Sequence, residues 1–265
     1  MLKNAFAYVT RKSLKSLIIL LIILSMSTLS LISLSIKDAT NKASEETFGN
    51  ITNSFTMEIN RRVNQGTARG GGNVRGQDIK KIVDSGHVDN FVKRINSVAN
   101  LDDNLDIVQA PGAGQNESAE RAKNFKRAVM LTGVNSSQKE TKFVSGAYKL
   151  VEGEHLTSED KNKILMHKDL AAKNNLKVGD KIKLKSNLYD ADNEKKANET
   201  VEVEIKGLFD GHGKSAVTYS QELYENTLIT DVHTAAKVYG NTEDTATYQD
   251  ATFFVKGNRN LDQVI

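Results

Sequence analysis

The sequence contains no cysteine and no tryptophan, and its only proline is Pro111. The lack of cysteine excludes a disulfide framework, a thiolate metal site and a thiol nucleophile. The first 36 residues contain no acidic residue but four basic ones. Removing those four from the 36 basic residues of the chain leaves 32, against 33 acidic residues, so the remainder is close to neutral. This balance does not indicate the basic surface that binds nucleic acid.

A run of 21 residues without a charge extends from Ser16 to Ile36. As a helix it would be about 31 Å long, which matches a hydrocarbon core of about 30 Å, so we expect one transmembrane helix. Lys37 follows the run, and the basic residues before it are Arg11, Lys12 and Lys15. The basic cluster predicts a cytoplasmic N-terminus, with everything after residue 37 outside the cell. A cleaved signal peptide is the alternative, but its apolar region is usually only about 7–15 residues long and ends in an A-x-A-like site, which is not evident here.

The remaining sequence has an α+β pattern. Residues 37–49 are polar and contain no proline, which predicts a short helical stalk that ends at Gly49. Apolar residues alternate at positions 55, 57 and 59, which predicts a strand. The stretch QDIKKIVDS, residues 77–85, predicts an amphipathic helix, and VDNFVKRINSV, residues 88–98, predicts a second strand. This order is typical of the first half of a split α+β unit.

Strand signals become denser from residue 128, in AVMLTGV, KILMHKDLAAK, LKVGDKIKL and VEVEIKGLFD. A polar hairpin loop is predicted at 186–200, helices at SQELYENT and at 231–239, and a strand at 251–255. We therefore predict an α+β chain with one transmembrane helix and a two-lobed exterior domain. The predicted segments are a cytoplasmic basic segment 1–15, the transmembrane helix 16–36, the stalk 37–49, an exterior α+β lobe 50–99 plus 218–265, and an inserted β-rich lobe 100–217.

The tripeptide Gly213-Lys214-Ser215 matches the end of a phosphate-binding loop, G-x-x-x-x-G-K-[ST]. The first glycine of that pattern would stand at position 208, which is Leu208. The loop should also open a helix, whereas the following AVTY favours an extended chain. The predicted topology further places this segment outside the cell, away from cytoplasmic ATP. We therefore predict no nucleotide site here.

Other patterns that bind metals or catalyse reactions are incomplete. DADNE at 190–194 resembles the start of a calcium loop, but Lys195 replaces the required glycine and Val201 the required glutamate. A solvated turn is predicted instead. No two of the five histidines are three or four residues apart, so a metal site would need tertiary convergence; they are His87, His155, His167, His212 and His233. There is no G-x-S-x-G motif, and we predict no catalytic residue, no cofactor and no metal.

The segment from Gly146 to Leu184 resembles the exterior core domain of MacB/FtsX-like ABC transporter permeases. Members of that family carry a G…L.EG turn, a strand, a DLA helix start, an LKVGDKI.L hairpin and a later V.G.F strand. This chain has GAYKLVEG, DLA, LKVGDKIKL and VEIKGLF in the same order. The landmark positions are Gly146, Gly153, Asp169, Gly179, Asp180, Gly207 and Phe209. The first 31 residues also look like those of the Vex-type permeases of streptococci.

The resemblance implies a permease subunit rather than an enzyme. In that family the first helix and the exterior domain are followed by three further membrane helices. A separate cytoplasmic ATPase drives motion that the exterior domain relays, and for this chain the resemblance implies export of a cargo. The chain ends at Ile265 without a second hydrophobic run, which implies the N-terminal portion of a longer permease. The implied partners are the ATP-binding subunit, a second permease subunit, identical or different, and the lipid bilayer. A single-pass, surface-anchored binding or adhesion domain without an ATPase is the alternative.

Overall fold

The computed structural model describes residues 14–15, 17–18, 21–30, 32, 54–59, 74–115, 117–213 and 217–255. The chain divides into two units, Met1–Asn53 and Ser54–Ile265. The predicted stalk, the basic residues Arg11 and Lys12, and Lys37 lie outside the described residues.

All described residues of the first unit are helical, and they include Lys15 and an unbroken stretch from 21 to 30. Hydroxyl groups bond back to the preceding turn: Ser25 Oγ donates to the carbonyl of Ile22 at 2.9 Å, and Ser27 Oγ to that of Leu24 at 2.9 Å. These two hydroxyls are therefore satisfied within their own helix. Among the described residues, no helix combines the length and the apolar character that a membrane crossing requires.

The second unit is a mixed α/β domain. Its described strands are β1 Ser54–Glu58, β2 Val74–Arg75, β3 Val88–Leu101, β4 Ala128–Val134, β5 Lys149–Gly153, β6 Lys163–His167, β7 Lys181–Ser186, β8 Thr200–Asp210, β9 Thr227–Asp231, β10 Thr247–Tyr248 and β11 Asp250–Val255. Its described α-helices are α1 Gly76–Asp84, α2 Ala119–Asn124, α3 Thr141–Val144, α4 Lys168–Lys173 and α5 Val232–Val238.

Local sequence explains where several of these elements begin. The carboxylate of Asp231 accepts from the backbone N–H of Thr234 at 2.8 Å and from its hydroxyl at 2.6 Å, which caps α5. Ser118 caps α2 by accepting from the N–H of Arg121 at 3.2 Å. The helices predicted at 77–85 and 231–239 and the strands predicted near 55–59, 88–98 and 251–255 are confirmed, with ends that differ by a few residues.

Two local predictions were wrong in detail. SQELYENT forms two short 3₁₀ segments, Ser220–Glu222 and Tyr224–Asn226, instead of one α-helix. The Asn226 amide donates to the carbonyls of Ser220 and Val108, both at 2.7 Å, and so holds this chain against a distant segment. LKVGDKIKL does not form a hairpin. Only its last residues form a strand, β7, and the residues before the turn follow α4 without being part of a strand.

Six strands of the second unit close into a barrel. The nine-stranded sheet has the order β1-β11-β3-β4-β9-β6-β8-β5, and β7 pairs with both β3 and β8. The ring β3, β4, β9, β6, β8 and β7 is therefore continuous. Its closing contact joins residues 99–101 of β3 to residues 184–186 of β7. The pairs β4–β9 and β6–β8 are parallel.

Three clusters of buried apolar side chains hold the unit together. The first fills the barrel, where β7 turns Ile182 and Leu184 inward and its lysines outward. The second packs α1 and α5 against β3 and β11, with Ile79 and Phe253 among its members. The third lies around Phe209, on the other face of β8. β8 alternates buried and less buried residues over most of its length, and only its last residues, around Phe209, are buried on both faces.

The two predicted lobes share strands of one sheet. β3 continues through the predicted boundary at residue 99, and β9, predicted in the first lobe, lies between β4 and β6. Leu228, Val238 and Tyr239 lie in the range predicted for the first lobe, but their side chains are buried in the barrel cluster. The lobe limits 50–99 plus 218–265 and 100–217 stay a prediction.

Candidate functional site

Polar side chains gather where the parallel strands β6 and β8 end. His167 is the last residue of β6 and lies opposite Phe209, the penultimate residue of β8. The residues that follow both strands therefore leave the sheet at the same edge. This edge brings His167 next to Asp210 and His212, which lie more than forty positions later in the sequence.

His167 is fully buried and links the two strand ends. Its Nδ1 accepts from the backbone N–H of Asp169 at 3.2 Å, at the start of α4. Because that nitrogen accepts, Nε2 carries the proton and donates to the carbonyl of Gly211 at 2.9 Å. Burial lowers the pKa of His167, although the Gly211 carbonyl and nearby carboxylates oppose this shift. The imidazole is therefore neutral near pH 7.

Asp210 faces both imidazoles with one carboxylate oxygen. Its Oδ2 accepts from Lys168 Nζ at 2.7 Å, and this hydrogen bond is the main cause that lowers the pKa of Asp210. Its Oδ1 is buried and has no hydrogen-bond partner in the described part of the chain. That oxygen lies 3.9 Å from Nε2 of His167 and 3.6 Å from Nε2 of His212. Lys168 thus fixes a charged oxygen that is directed between the two rings.

His212 is 62% exposed and completes the cluster from the solvent side. Its Nδ1 lies 3.1 Å from Oε1 of Glu225. The preceding Gly211 allows the chain to reach this place, since a Cβ there would lie 2.4 Å from the carbonyl oxygen of Ala147 and 2.6 Å from the ring of Tyr148. A glycine in GLFDGHGKS therefore serves close packing rather than a phosphate cradle.

The remainder of that segment contains no described helix start. Lys214 and Ser215 lie outside the described residues, and the chain that follows, from Val217, has no helical residue before Ser220. The first helical segment after it is the 3₁₀ turn Ser220–Glu222. The geometry that a phosphate-binding loop needs, a helix directly after the lysine, is thus not found in the described part of the segment.

The residues of the other incomplete patterns make local hydrogen bonds. In the loop at 190–194, the Asp190 carboxylate accepts from the hydroxyl of Tyr239, and Asn193 Oδ1 accepts from the N–H of Ala197 at 2.8 Å. His155 Nδ1 lies 2.8 Å from the hydroxyl of Ser137. His87 and His233 belong to neither of the two clusters of candidate metal ligands found among the described residues.

Sequence reasoning missed the convergence of His167 and His212. We looked for pairs three or four residues apart, as on a helix, but these residues meet across two parallel strands. The signal was a histidine at the end of each of two strand patterns, KILMH and VEIKGLFDGH. Only the β6–β8 register joins them, and that register depends on packing between distant segments.

Two landmark glycines face each other across β5 and β8. Gly153 and Gly207 are paired Cα partners, and the pairing shifts register between Leu150 and Glu152. A Cβ on Gly153 would lie 2.2 Å from the carbonyl oxygen of Lys206, and one on Gly207 would lie 2.8 Å from that of Glu152. The two backbones thus approach more closely than any side chain at these positions allows.

Further landmark residues form turns next to β8. The N–H of Gly179 donates to the carbonyl of Ile205 at 2.8 Å, and the carbonyl of Asp180 accepts from the N–H of Ile205 at 2.9 Å. Gly146 closes the turn after α3, since its N–H donates to the carbonyl of Phe143 at 3.1 Å. The turn at Gly179 and Asp180 is therefore bonded directly to β8, whereas the bond of Gly146 is local.

The last two landmarks lie beside the histidine cluster. Asp169 is in the first turn of α4, where its N–H bonds to His167. Phe209 is fully buried, and its ring centroid lies 5.3 Å from that of His167 and 4.6 Å from that of Tyr148. The landmark pattern and the histidine cluster therefore occupy one region of the fold.

Comparison with known proteins finds likeness only among solved structures. No protein-family model matches the chain, and no curated protein sequence does. The periplasmic region of MacB from Actinobacillus actinomycetemcomitans is 14% identical, with a TM-score of 0.45, over 80% of this chain and 78% of that one. The extracellular domain of the noncanonic ABC-type transporter YknZ from Gram-positive bacteria is 10% identical, with a TM-score of 0.41, over 80% and 87%.

A third structure, a domain assigned to a permease protein from Porphyromonas gingivalis, is 12% identical, with a TM-score of 0.33, over 72% of this chain and 73% of that one. All three identities and TM-scores are low. These likenesses describe a similar course of the chain and do not by themselves assign a function.

Proposed function

We propose that this chain is the N-terminal portion of a permease subunit of a MacB/FtsX-like ABC transporter, and that residues after 37 form its exterior domain. The observation that carries the proposal is the family pattern itself, which occupies one continuous region of the fold. In that region Gly153 pairs directly with Gly207, and the turn at Gly179 bonds to β8 two residues before Gly207. Residues that match the family pattern but lie far apart in the sequence are therefore neighbours in the fold.

The proposed membrane anchor is the charge-free run from Ser16 to Ile36. The large apolar side chains described between Leu14 and Ile32 are each at least 50% exposed, on all sides of the helix. A helix that is apolar all round is typical of a lipid environment. The basic residues Arg11, Lys12 and Lys15 support a cytoplasmic N-terminus in the plasma membrane.

The exterior domain is suited to relay motion because its two cores share one strand. β3 is 14 residues long, or about 46 Å at roughly 3.3 Å per residue. Its N-terminal end belongs to the α1–α5 cluster through Val88, and its C-terminal end closes the barrel through Leu101. Because β3 is one continuous strand, we expect a displacement of one of its ends to move the other end as well.

In the proposed mechanism this chain does not hydrolyse ATP. A separate cytoplasmic ATP-binding subunit supplies the work, a second permease subunit completes the membrane part, and the exterior domain passes the motion to exported cargo. The closer relation to Vex-type permeases belongs to the same proposal and is supported by the first 31 residues.

The natural lack of cysteine allows a direct test of the topology. Ser145 is exposed and lies in the second unit, so we expect Ser145→Cys to react with a membrane-impermeant maleimide in intact cells. The matched variant Ser13→Cys, in the predicted cytoplasmic segment, should react only after the membrane is permeabilised. The reverse pattern, or equal labelling of both positions in intact cells, would refute the proposed orientation. The alternative, an anchored binding domain, shares this topology and differs only in having no ATPase partner.

A further inference from the structure

We propose that His167, Asp210 and His212 bind one divalent transition-metal ion of the zinc class. One ligand atom from each of the three residues lies within 4.8 Å of the others. This site is separate from the transport proposal, since it depends only on the geometry at the ends of β6 and β8.

The distances are close to those of a coordination sphere. Zinc bonds of about 2.0–2.2 Å in a tetrahedral arrangement place neighbouring ligand atoms roughly 3.3 Å apart. Asp210 Oδ1 lies 3.6 Å from Nε2 of His212 and 3.9 Å from Nε2 of His167. The third distance, between the two imidazole nitrogens, is at most 4.8 Å, so bonding positions require shifts of up to about 1.5 Å. The Gly211 carbonyl, now 2.9 Å from Nε2 of His167, must also move aside, and the exposed side chain of His212 can make part of the shift.

The orphaned carboxylate oxygen is the independent observation that points to a ligand. Asp210 Oδ1 is buried and has no hydrogen-bond partner among the residues that the structure describes, although a buried charged oxygen normally has at least one. Its sister oxygen is held by Lys168 at 2.7 Å, so rotation does not relieve it without breaking that ion pair. A cation between Oδ1 and the two imidazoles supplies the missing partner.

Ligation requires a proton to move on His167. Nε2 now carries the proton and donates to Gly211; in the bound form Nε2 holds the ion and the proton moves to Nδ1. Nδ1 then faces the Asp169 carboxylate, whose Oδ2 lies 3.8 Å away. The hydrogen bonds to the Gly211 carbonyl and from the Asp169 N–H are lost in exchange. No net proton is released, because the imidazole is neutral in both forms.

The surrounding groups match the usual outer shell of a metal site. A metal-binding histidine commonly donates its other N–H to a carboxylate, and His212 Nδ1 lies 3.1 Å from Glu225 Oε1. Glu225 would thereby orient the His212 ring with Nε2 toward Asp210. The 32% exposure of Asp210 and the 62% exposure of His212 leave an approach from solvent.

The donor set selects the class of ion. Two imidazole nitrogens and one carboxylate oxygen suit Zn²⁺, Co²⁺, Ni²⁺ or Cu²⁺. Ca²⁺ and Mg²⁺ prefer sites made of oxygen, and the soft Cu⁺ prefers thiolates and thioethers. With three protein ligands, a fourth position stays open to water or to a partner.

Calorimetric titration of Zn²⁺ into the untagged full chain in detergent micelles tests the site. We expect one ion per chain, with affinity reduced at least about 100-fold in His212→Ala and roughly 10-fold or more in Glu225→Gln. His212 is exposed, so its loss should not impair folding, which circular dichroism can verify. The matched control His87→Ala removes a histidine outside the cluster and should bind as the natural chain does.

Titration with Co²⁺ gives an independent readout, because a four-coordinate Co²⁺ site with nitrogen ligands absorbs visible light. We expect this absorption in the natural chain and in His87→Ala, and its loss in His212→Ala and Asp210→Asn. Absence of binding, or equal binding in His212→Ala, would overturn the proposal. A second cluster of Asp169, His212 and Glu225 overlaps the first, so loss of binding in Asp169→Asn with retention in Asp210→Asn would also overturn it.

Discussion

The close approach of β5 and β8 predicts a large effect of a single methyl group. Gly153 has a φ of 78°, and its Cβ would lie 2.2 Å from the Lys206 carbonyl oxygen and 2.6 Å from Cα of Gly207. The left-handed conformation costs an alanine about 1–2 kcal/mol, and forcing packed groups apart typically costs about 1–3 kcal/mol more. We therefore expect Gly153→Ala to lower the free energy of unfolding by about 2–5 kcal/mol.

Gly146 provides a matched control for this measurement. Its φ of 75° is nearly the same, but a Cβ there would meet no atom within 4 Å. Gly146→Ala should thus cost only the conformational part, about 1–2 kcal/mol. Urea unfolding of the full chain in micelles, followed by circular dichroism because there is no tryptophan, compares the two variants. An equal loss of unfolding free energy in Gly153→Ala and Gly146→Ala would contradict the close approach of β5 and β8.

Three further predictions concern stability. Burial raises the pKa of Asp160, but hydrogen bonds from Lys206 and Thr157 outweigh it and lower the pKa; Asp160→Asn should therefore cost about 1–3 kcal/mol at pH 7. This difference should disappear as the pH falls through the lowered pKa, below about pH 4, and a constant difference down to pH 2 would contradict it. Asp231→Ala should cost about 1–2 kcal/mol through loss of the α5 cap, whereas Asp231→Asn, which keeps an acceptor, should cost less; equal losses in urea unfolding would argue against capping. Leu184→Ala should cost about 2–5 kcal/mol and the outward-facing Lys183→Ala less than about 0.5 kcal/mol, and similar melting temperatures for the two would contradict the assigned barrel interior.

Local patterns were sufficient to predict most elements of the domain. The alternation in β1 and the apolar spacing of α1 each act over a few neighbouring residues, as does the cap that Asp231 forms on α5 in the structure. These signals depend on side-chain periodicity and backbone hydrogen bonding, which short stretches of sequence determine.

Closure of the barrel was not predictable in the same way. It depends on three residues of β3 pairing with β7, at Ala99 with Ser186 and Leu101 with Leu184. Those contacts join segments more than eighty residues apart, and their register follows from packing of the whole interior. For the same reason the meeting of His167 with His212 was missed.

Coupling to an ATPase is the central claim, because it separates a permease from an anchored binding domain. The most direct measurement is MgATP hydrolysis by the full chain purified in detergent from membranes of the cells that naturally produce it. We predict that an ATP-hydrolysing subunit with a complete G-x-x-x-x-G-K-[ST] loop co-purifies in a fixed ratio to this chain. Purified chain with no ATPase activity and no such subunit, from membranes where the exterior labelling pattern holds, would contradict the account.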